Sequence, residues 1–208
     1  AFSFMDLIVK WSEDYPLAQV LFFRGFFGVV IYFFIMPRDR IKNFYYTKRA
    51  SLHFLRCIFG LIALIAIFIA LRNLPLATVV SISFAAPIFT TIFSILLLNE
   101  KVGFYRWLAV SIGFIGIIVI TEPGFGDLNI YYIYPIIFCL GLSYVAIAIR
   151  QLSTTEPVWL IALNFSILIT LASLFTIPFG WVMPNIQDLV LLCMIGFLGG
   201  FANLWLSQ

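Results

Sequence analysis

Leu52-His-Phe-Leu-Arg56-Cys-Ile-Phe-Gly-Leu-Ile-Ala-Leu-Ile-Ala-Ile-Phe-Ile-Ala-Leu71 decides the class of fold. Wound as a helix at 1.5 Å per residue, it reaches about 30 Å, the depth of a bilayer's hydrocarbon core. Past Arg56 the run carries no charge. Similar apolar runs flank it on both sides: Pro16–Met36 before it, then Pro75–Leu98, Trp107–Thr121, Ile130–Ile149, Pro157–Ile177 and Leu189–Ser207 after it. Ala1–Trp11 reads as the end of one more. The expectation is an all-α polytopic transmembrane helix bundle with seven or eight crossings.

Composition agrees with that reading. Hydrophobic residues make up 63% of the chain and charged residues 10%, with a mean hydropathy of +1.12. A soluble domain carries about 25% charge, so this chain cannot clothe a water-facing surface. The 24 Phe residues suit lipid-facing helices and interfacial belts. A net charge of +3 is too diffuse to point to nucleic acid. Cys57, Cys139 and Cys193 each sit inside an apolar run and read as small buried hydrophobes, with neither disulfide nor metal-ligand spacing. A single histidine, His53, cannot build the clusters of membrane di-iron enzymes. Paired-Asp motifs of polytopic transferases and a Gly-rich phosphate loop are also missing. The sequence thus implies a non-enzyme with no bound cofactor and no metal. It opens on Ala1 rather than Met, and Gln208 follows an unfinished apolar run, so it reads as a fragment truncated at both ends.

Loop charge gives an orientation. The loop Pro37–Ser51 holds Arg38, Arg40, Lys42, Lys48 and Arg49 against Asp39 alone. Counting crossings onward, Lys101, Arg106 and Arg150 fall on the same side. The other side carries Glu13, Asp14, Glu122, Asp127 and Asp188, with Arg72 as its one basic loop residue. The positive-inside rule makes loop 37–51 cytoplasmic.

Several charges lie where a bilayer should hold none. Asp6 and Lys10 are four apart, on one face of the first helix. Arg24 stands in Phe22-Phe23-Arg24-Gly25-Phe26-Phe27, about 12 Å down the second span. An ionised side chain at such depth costs about 2.5–3.5 kcal/mol on insertion scales and usually faces a cavity or a partner. Lys10 has an ordinary escape, snorkelling to the interface; Arg24 does not, so an ion pair is expected there, with Asp6 its natural partner. Arg56 lies one turn into the third span, where snorkelling to headgroups accounts for it, and His53 one turn earlier reads as interfacial. Asn164 and Asn203 sit within the seventh and eighth spans as helix–helix hydrogen bonds or as solute contacts.

The fourth span contains Ser81, Ser83, Thr90, Thr91 and Ser94 around a central Pro87. Proline inside a helix frees a carbonyl and kinks the chain, and hydroxyls can satisfy what it frees. The expectation is one kinked helix that lines a path, with Ser83, Pro87 and Thr90 at its bend. Ser3–Lys10 and Ser143–Arg150 also look alike: each ends a span in a cation and precedes a helix-opening proline, Pro16 or Pro157. Five spans separate them, and an odd number of helices per unit inverts one unit against the other, as in many transporters.

Pro75-Leu-Ala-Thr through Pro87-Ile-Phe, the run Leu-Leu-Leu-Asn99-Glu100-Lys101, then Arg106-Trp107 and Gly113-Phe-Ile-Gly116 resemble the first repeat of EamA-type transporters, within the drug/metabolite transporter superfamily. Phe23-Arg24 and Leu55-Arg56 are similar to the starts of that family's second and third helices. The run as a whole is similar to bacterial members likened to S-adenosylmethionine uptake carriers. The resemblance implies ten helices in two inverted five-helix repeats. Residues 1–122 would be the first, from the end of helix one to helix five, and 130–208 an incomplete second, helices six to eight. It implies a secondary transporter of small organic metabolites, amino-acid-like or nucleoside- and S-adenosylmethionine-like, working by alternating access in the bacterial inner membrane. Coupling would be to protons or to exchange, with Asp6 the candidate proton carrier. Glu100, with Lys101 and Arg106, would end the fourth helix at the cytoplasmic face as a gate or helix-end ion pair. The expected partners are a small-molecule substrate and the lipid bilayer; a homodimer is left open. The alternative reading, a non-transporting membrane scaffold or assembly protein, leaves Arg24 and Asp6 without a purpose.

Overall fold

A computed structural model of the chain describes residues 2–12, 14–35, 47, 49–101, 103–121 and 130–206. Most of the basic loop, together with Glu13, Glu122 and Asp127, lies outside the described residues, as does the side chain of Arg106. Nine α-helices follow one another among the described residues: α1 (Phe2–Trp11), α2 (Leu17–Ile35), α3 (Ala50–Asn73), α4 (Leu76–Ser83), α5 (Ala86–Leu98), α6 (Phe104–Thr121), α7 (Ile133–Leu152), α8 (Val158–Leu174) and α9 (Ile186–Leu206). Prolines mark the starts. Pro75 and Pro157 hold extended backbone, ψ 137° and 145°, just ahead of α4 and α8, where a missing N–H removes no helical bond.

Five stretches are long and apolar enough to cross a membrane: Leu17–Ile35, Ala50–Asn73, Leu76–Leu98, Ile130–Leu152 and Ile186–Asn203. Val158–Leu174 and Trp107–Gly116 are apolar but shorter. The chain is a multi-pass membrane protein. It divides into two compact units, one of Ala1–Cys57 with Ile149–Gln208, the other of Ile58–Ala148.

In the first unit α2 packs along α8 and α9, and glycines set how near the backbones come. A Cβ on Gly25 would lie 2.8 Å from the Thr170 backbone nitrogen, and one on Gly28 would lie 2.6 Å from the Ser166 hydroxyl. From α9, a Cβ on Gly196 would lie 2.6 Å from the Phe23 carbonyl. Small residues that allow such approach are the usual means of joining helices in lipid, where burial of apolar surface gives no net drive. Ile31, Tyr32, Ala162 and Leu163 form the α2–α8 core, and Phe27 meets Phe197 across α2–α9 at 4.7 Å between ring centres. At one end the Gln19 amide forms a two-way clasp with Val182, donating to its carbonyl at 2.8 Å and accepting from its N–H at 3.1 Å. Nearby, the Tyr15 hydroxyl donates to the Asp188 carboxylate at 2.6 Å. That bond to a carboxylate raises the Tyr15 phenol above its ordinary pKa.

In the second unit the fourth span differs from expectation. It is two helices, α4 and α5, parted by a tight turn at Phe84 and Ala85. The break lies ahead of Pro87 for a steric reason. The proline ring would collide with the carbonyl four residues back, that of Ser83, and Ser83 is where α4 stops. Pro87 then falls in the first turn of α5, a position that suits it. Helix α7 closes the gap. The Cys139 thiol points at the Ile82 carbonyl at 3.4 Å, and the Ser143 hydroxyl meets the Ala86 carbonyl at 2.8 Å. Thr90 reaches both the Ala86 carbonyl, at 2.9 Å, and the Ser143 hydroxyl, at 3.1 Å. Ala85, Ala86 and Cys139 form a small core around the turn.

Candidate functional site

Polar side chains inside the first unit gather in two places. The deeper one is built on α2. Its Arg24 is 7% exposed and passes α9 at Gly199, where a Cβ would lie 2.9 Å from the arginine Nε and 3.0 Å from its Cγ. Only a residue without a side chain leaves room for that stem. Arg56 from the start of α3 is buried more completely, at 1% exposure. Its guanidinium lies over the Phe165 ring, 4.3 Å from the centre, and donates from Nη2 to the Asn203 side-chain oxygen at 3.4 Å. Snorkelling is therefore not how this arginine is accommodated. Helices α8 and α9 supply a ring face and an amide instead, a cation–π contact and a long hydrogen bond.

Between the two cations stands Tyr32, fully buried, whose hydroxyl donates to the Gly200 carbonyl at 2.5 Å and lies in reach of Asn203 and Ser166. Arg24, Arg56 and Tyr32 are within electrostatic range of one another, and half-buried Asp6 of α1 is within range of Arg24. Asp6 and Arg24 form no ion-pair contact among the described residues, so the pairing expected from the sequence is a long-range one. Arg24 Nε and Arg56 Nε and Nη1 are buried without a hydrogen-bond partner among the described residues.

The second place is at the start of α3. His53 Nε2 meets the Glu156 carboxylate, and the Thr47 hydroxyl donates to the other Glu156 oxygen. His53 and Glu156 are 5% and 7% exposed. Nothing in the sequence drew attention to Glu156, which precedes the helix-opening Pro157 like any loop acid. His53, read from the sequence as interfacial, is one half of a buried pair.

Residues 1–122 match the EamA-like transporter family. The chain belongs to that family. Among curated relatives, it is 29% identical over 191 residues to the S-adenosylmethionine uptake transporter of Rickettsia prowazekii, covering 91% of this chain and 64% of the relative. It is 24% identical over 213 residues to the pseudopaline exporter of Pseudomonas aeruginosa, covering all of this chain and 73% of the exporter. An uncharacterized transporter of Helicobacter pylori is 28% identical over 218 residues, 99% of this chain and 72% of the relative. The chain spans less than two thirds of the length of the first of these.

The other residues singled out in the sequence distribute as follows. Lys10 and Asn164 are half-buried in the first unit. In the second unit Ser83 is half-buried and bonded to the Val79 carbonyl at 2.7 Å, Thr90 is half-buried beside Ser143, and Pro87 is exposed. Glu100 follows Asn99, which ends α5 in the left-handed conformation at φ 50°. The turn brings the Glu100 carboxylate back to accept from the Ser94 hydroxyl, and Lys101 stays exposed.

Proposed function

We infer that this EamA-type chain is the greater part of a secondary transporter that moves small organic metabolites across the bacterial inner membrane by alternating access. The observation that carries the reading is the buried Arg24 within electrostatic range of Asp6, inside a helix bundle packed through glycines. Charge retained inside a membrane bundle marks a path for solute or ion far more often than it stabilises a scaffold. S-adenosylmethionine-like solutes suit the name of one relative, and amino-acid-like and nucleoside-like solutes are part of the same proposal. Loop 37–51 is taken as cytoplasmic on its charge, 1–122 as the first repeat and 130–208 as an incomplete second repeat inverted against it. In the first unit Asp6, Lys10, Arg24 and Asn164 are the candidate path residues, with Asp6 the proton carrier if transport is proton-coupled. In the second unit Ser83, Pro87 and Thr90 mark the bend, and Glu100, Lys101 and Arg106 the helix-end gate.

The test is uptake of labelled S-adenosylmethionine and a panel of amino acids into proteoliposomes holding the full-length protein, at several external pH values. Saturable uptake of a panel member above empty liposomes is expected, with pH dependence that Asp6→Asn flattens. Unchanged pH dependence in Asp6→Asn removes the proton-carrier role; no saturable uptake of any member removes the transport reading.

A further inference from the structure

The two guanidinium groups inside the first unit carry more positive charge than their surroundings answer. Arginine stays protonated in proteins, and a buried ion is tolerated only when paired or fully hydrogen-bonded. The described contacts of Arg56 are a phenyl ring, one long bond to an amide oxygen and the neighbouring Cys57 thiol, none of them a carboxylate. Asp6 is the acid in electrostatic range of Arg24, and it does not close to an ion pair. Two cations and one carboxylate leave one positive charge over. The same region holds three buried guanidinium nitrogens, Arg24 Nε and Arg56 Nε and Nη1, without a hydrogen-bond partner among the described residues. A charge surplus and unused donors on the same groups describe a site for an anion.

We propose that Arg24 and Arg56 together bind a carboxylate of the transported solute, with Tyr32 and Asn203 fixing the orientation of the cations. The choice of carboxylate follows from charge and shape. A phosphate monoester carries about −1.5 to −2 at neutral pH and would overfill a surplus of one, whereas a carboxylate matches it. Two planar oxygens also suit the guanidinium fork, which binds carboxylates in parallel pairs of hydrogen bonds. Glycine at 199 belongs to the same device, because it lets the Arg24 stem cross α9 toward Tyr32.

The site rests on the transport reading, and its test separates the two. Full-length protein in detergent is titrated with L-methionine, S-adenosylmethionine and succinate, each beside its carboxamide analogue, with thermal stabilisation as the readout. At least one acid is expected to stabilise the wild type saturably, and its amide to require at least tenfold higher concentration. Arg56→Gln and Arg24→Gln are expected to erase that preference while the unliganded protein still unfolds cooperatively; Arg56→Lys restores it only in part. Acid and amide binding alike would overturn the site, as would a preference that survives both glutamine variants. The acid–amide comparison on wild type needs no variant to fold. Proteoliposome uptake of the same pairs assigns any failure. Uptake without acid preference overturns the site and keeps transport. Arginine-dependent acid binding without uptake keeps the site and overturns transport. Stabilisation by inorganic phosphate or anionic lipid equal to that by the acids would also overturn the carboxylate assignment.

Discussion

His53 and Glu156, 103 residues apart in sequence, meet as a buried imidazole–carboxylate pair between the start of α3 and the turn before α8. Thr47 donates to the carboxylate's other oxygen, and the far ring nitrogen, His53 Nδ1, is buried without a partner among the described residues. Removing one member of such a pair strands the other, at a cost of about 3–5 kcal/mol. Glu156→Ala is therefore expected to lower the thermal midpoint of the purified protein strongly. Glu156→Gln should cost less, about 1–3 kcal/mol, since its amide oxygen still accepts from Thr47. The double variant Glu156→Gln, His53→Gln should recover part of the loss. Equal losses for the alanine and glutamine variants would show that pairing is not what the site contributes.

The glycines of the α2 interfaces should differ according to what stands opposite. A methyl group on Gly196 would press on the Phe23 carbonyl and the Phe27 Cβ, at 2.6 and 2.7 Å, and backbone cannot turn aside. Gly196→Ala is expected to cost about 1–3 kcal/mol, the usual penalty of overpacking. A methyl on Gly28 would press mainly on the Ser166 hydroxyl, at 2.6 Å, which can rotate. Gly28→Ala should cost less, and Ser166→Ala should relieve it further. Chemical denaturation in mixed micelles measures both, and the reverse order would contradict the packing described.

The break in the fourth span offers a coupling experiment. Ser143 and Thr90 both donate to the Ala86 carbonyl, at 2.8 and 2.9 Å. Ser143→Ala or Thr90→Val alone leaves that carbonyl one hydroxyl beside its helical N–H, and each should cost about 1 kcal/mol. Because the two hydroxyls share one acceptor, which keeps its helical partner throughout, the loss in the double variant should differ from the sum of the singles. Strict additivity in a thermal double-mutant cycle would mean that the two hydroxyls do not share one acceptor.

Thiol labelling checks burial without changing the chain. Cys57 and Cys139 are 3% and 0% exposed, while Cys193 is half-buried. A maleimide should label Cys193 first in the folded protein, and all three after denaturation. Faster labelling of Cys139 would contradict its place beneath the α4–α5 turn.

How far the sequence could be read depended on distance along the chain. Helices came from local composition, and all nine described ones lie within the runs anticipated, differing by a few residues at the ends. Arg24 was legible as a buried charge because phenylalanines flank it within the same turn. Arg56 was not, because what buries it is Asn203, 147 residues later, and the Phe165 ring. The His53–Glu156 pair was hidden for the same reason. Pro87 signalled a discontinuity but not its location, since a proline's clash acts backward on the preceding turn.

The turn at Phe84 and Ala85 has a mechanical consequence. An unbroken helix resists bending cooperatively, because several backbone bonds must lengthen at once. Here α4 and α5 are linked by two residues and steadied by side-chain bonds from Cys139 and Ser143 of α7, each worth about 1 kcal/mol. These bonds can let go one at a time and re-form on neighbouring carbonyls. The span has a compliant joint, stiff at rest and soft under modest load.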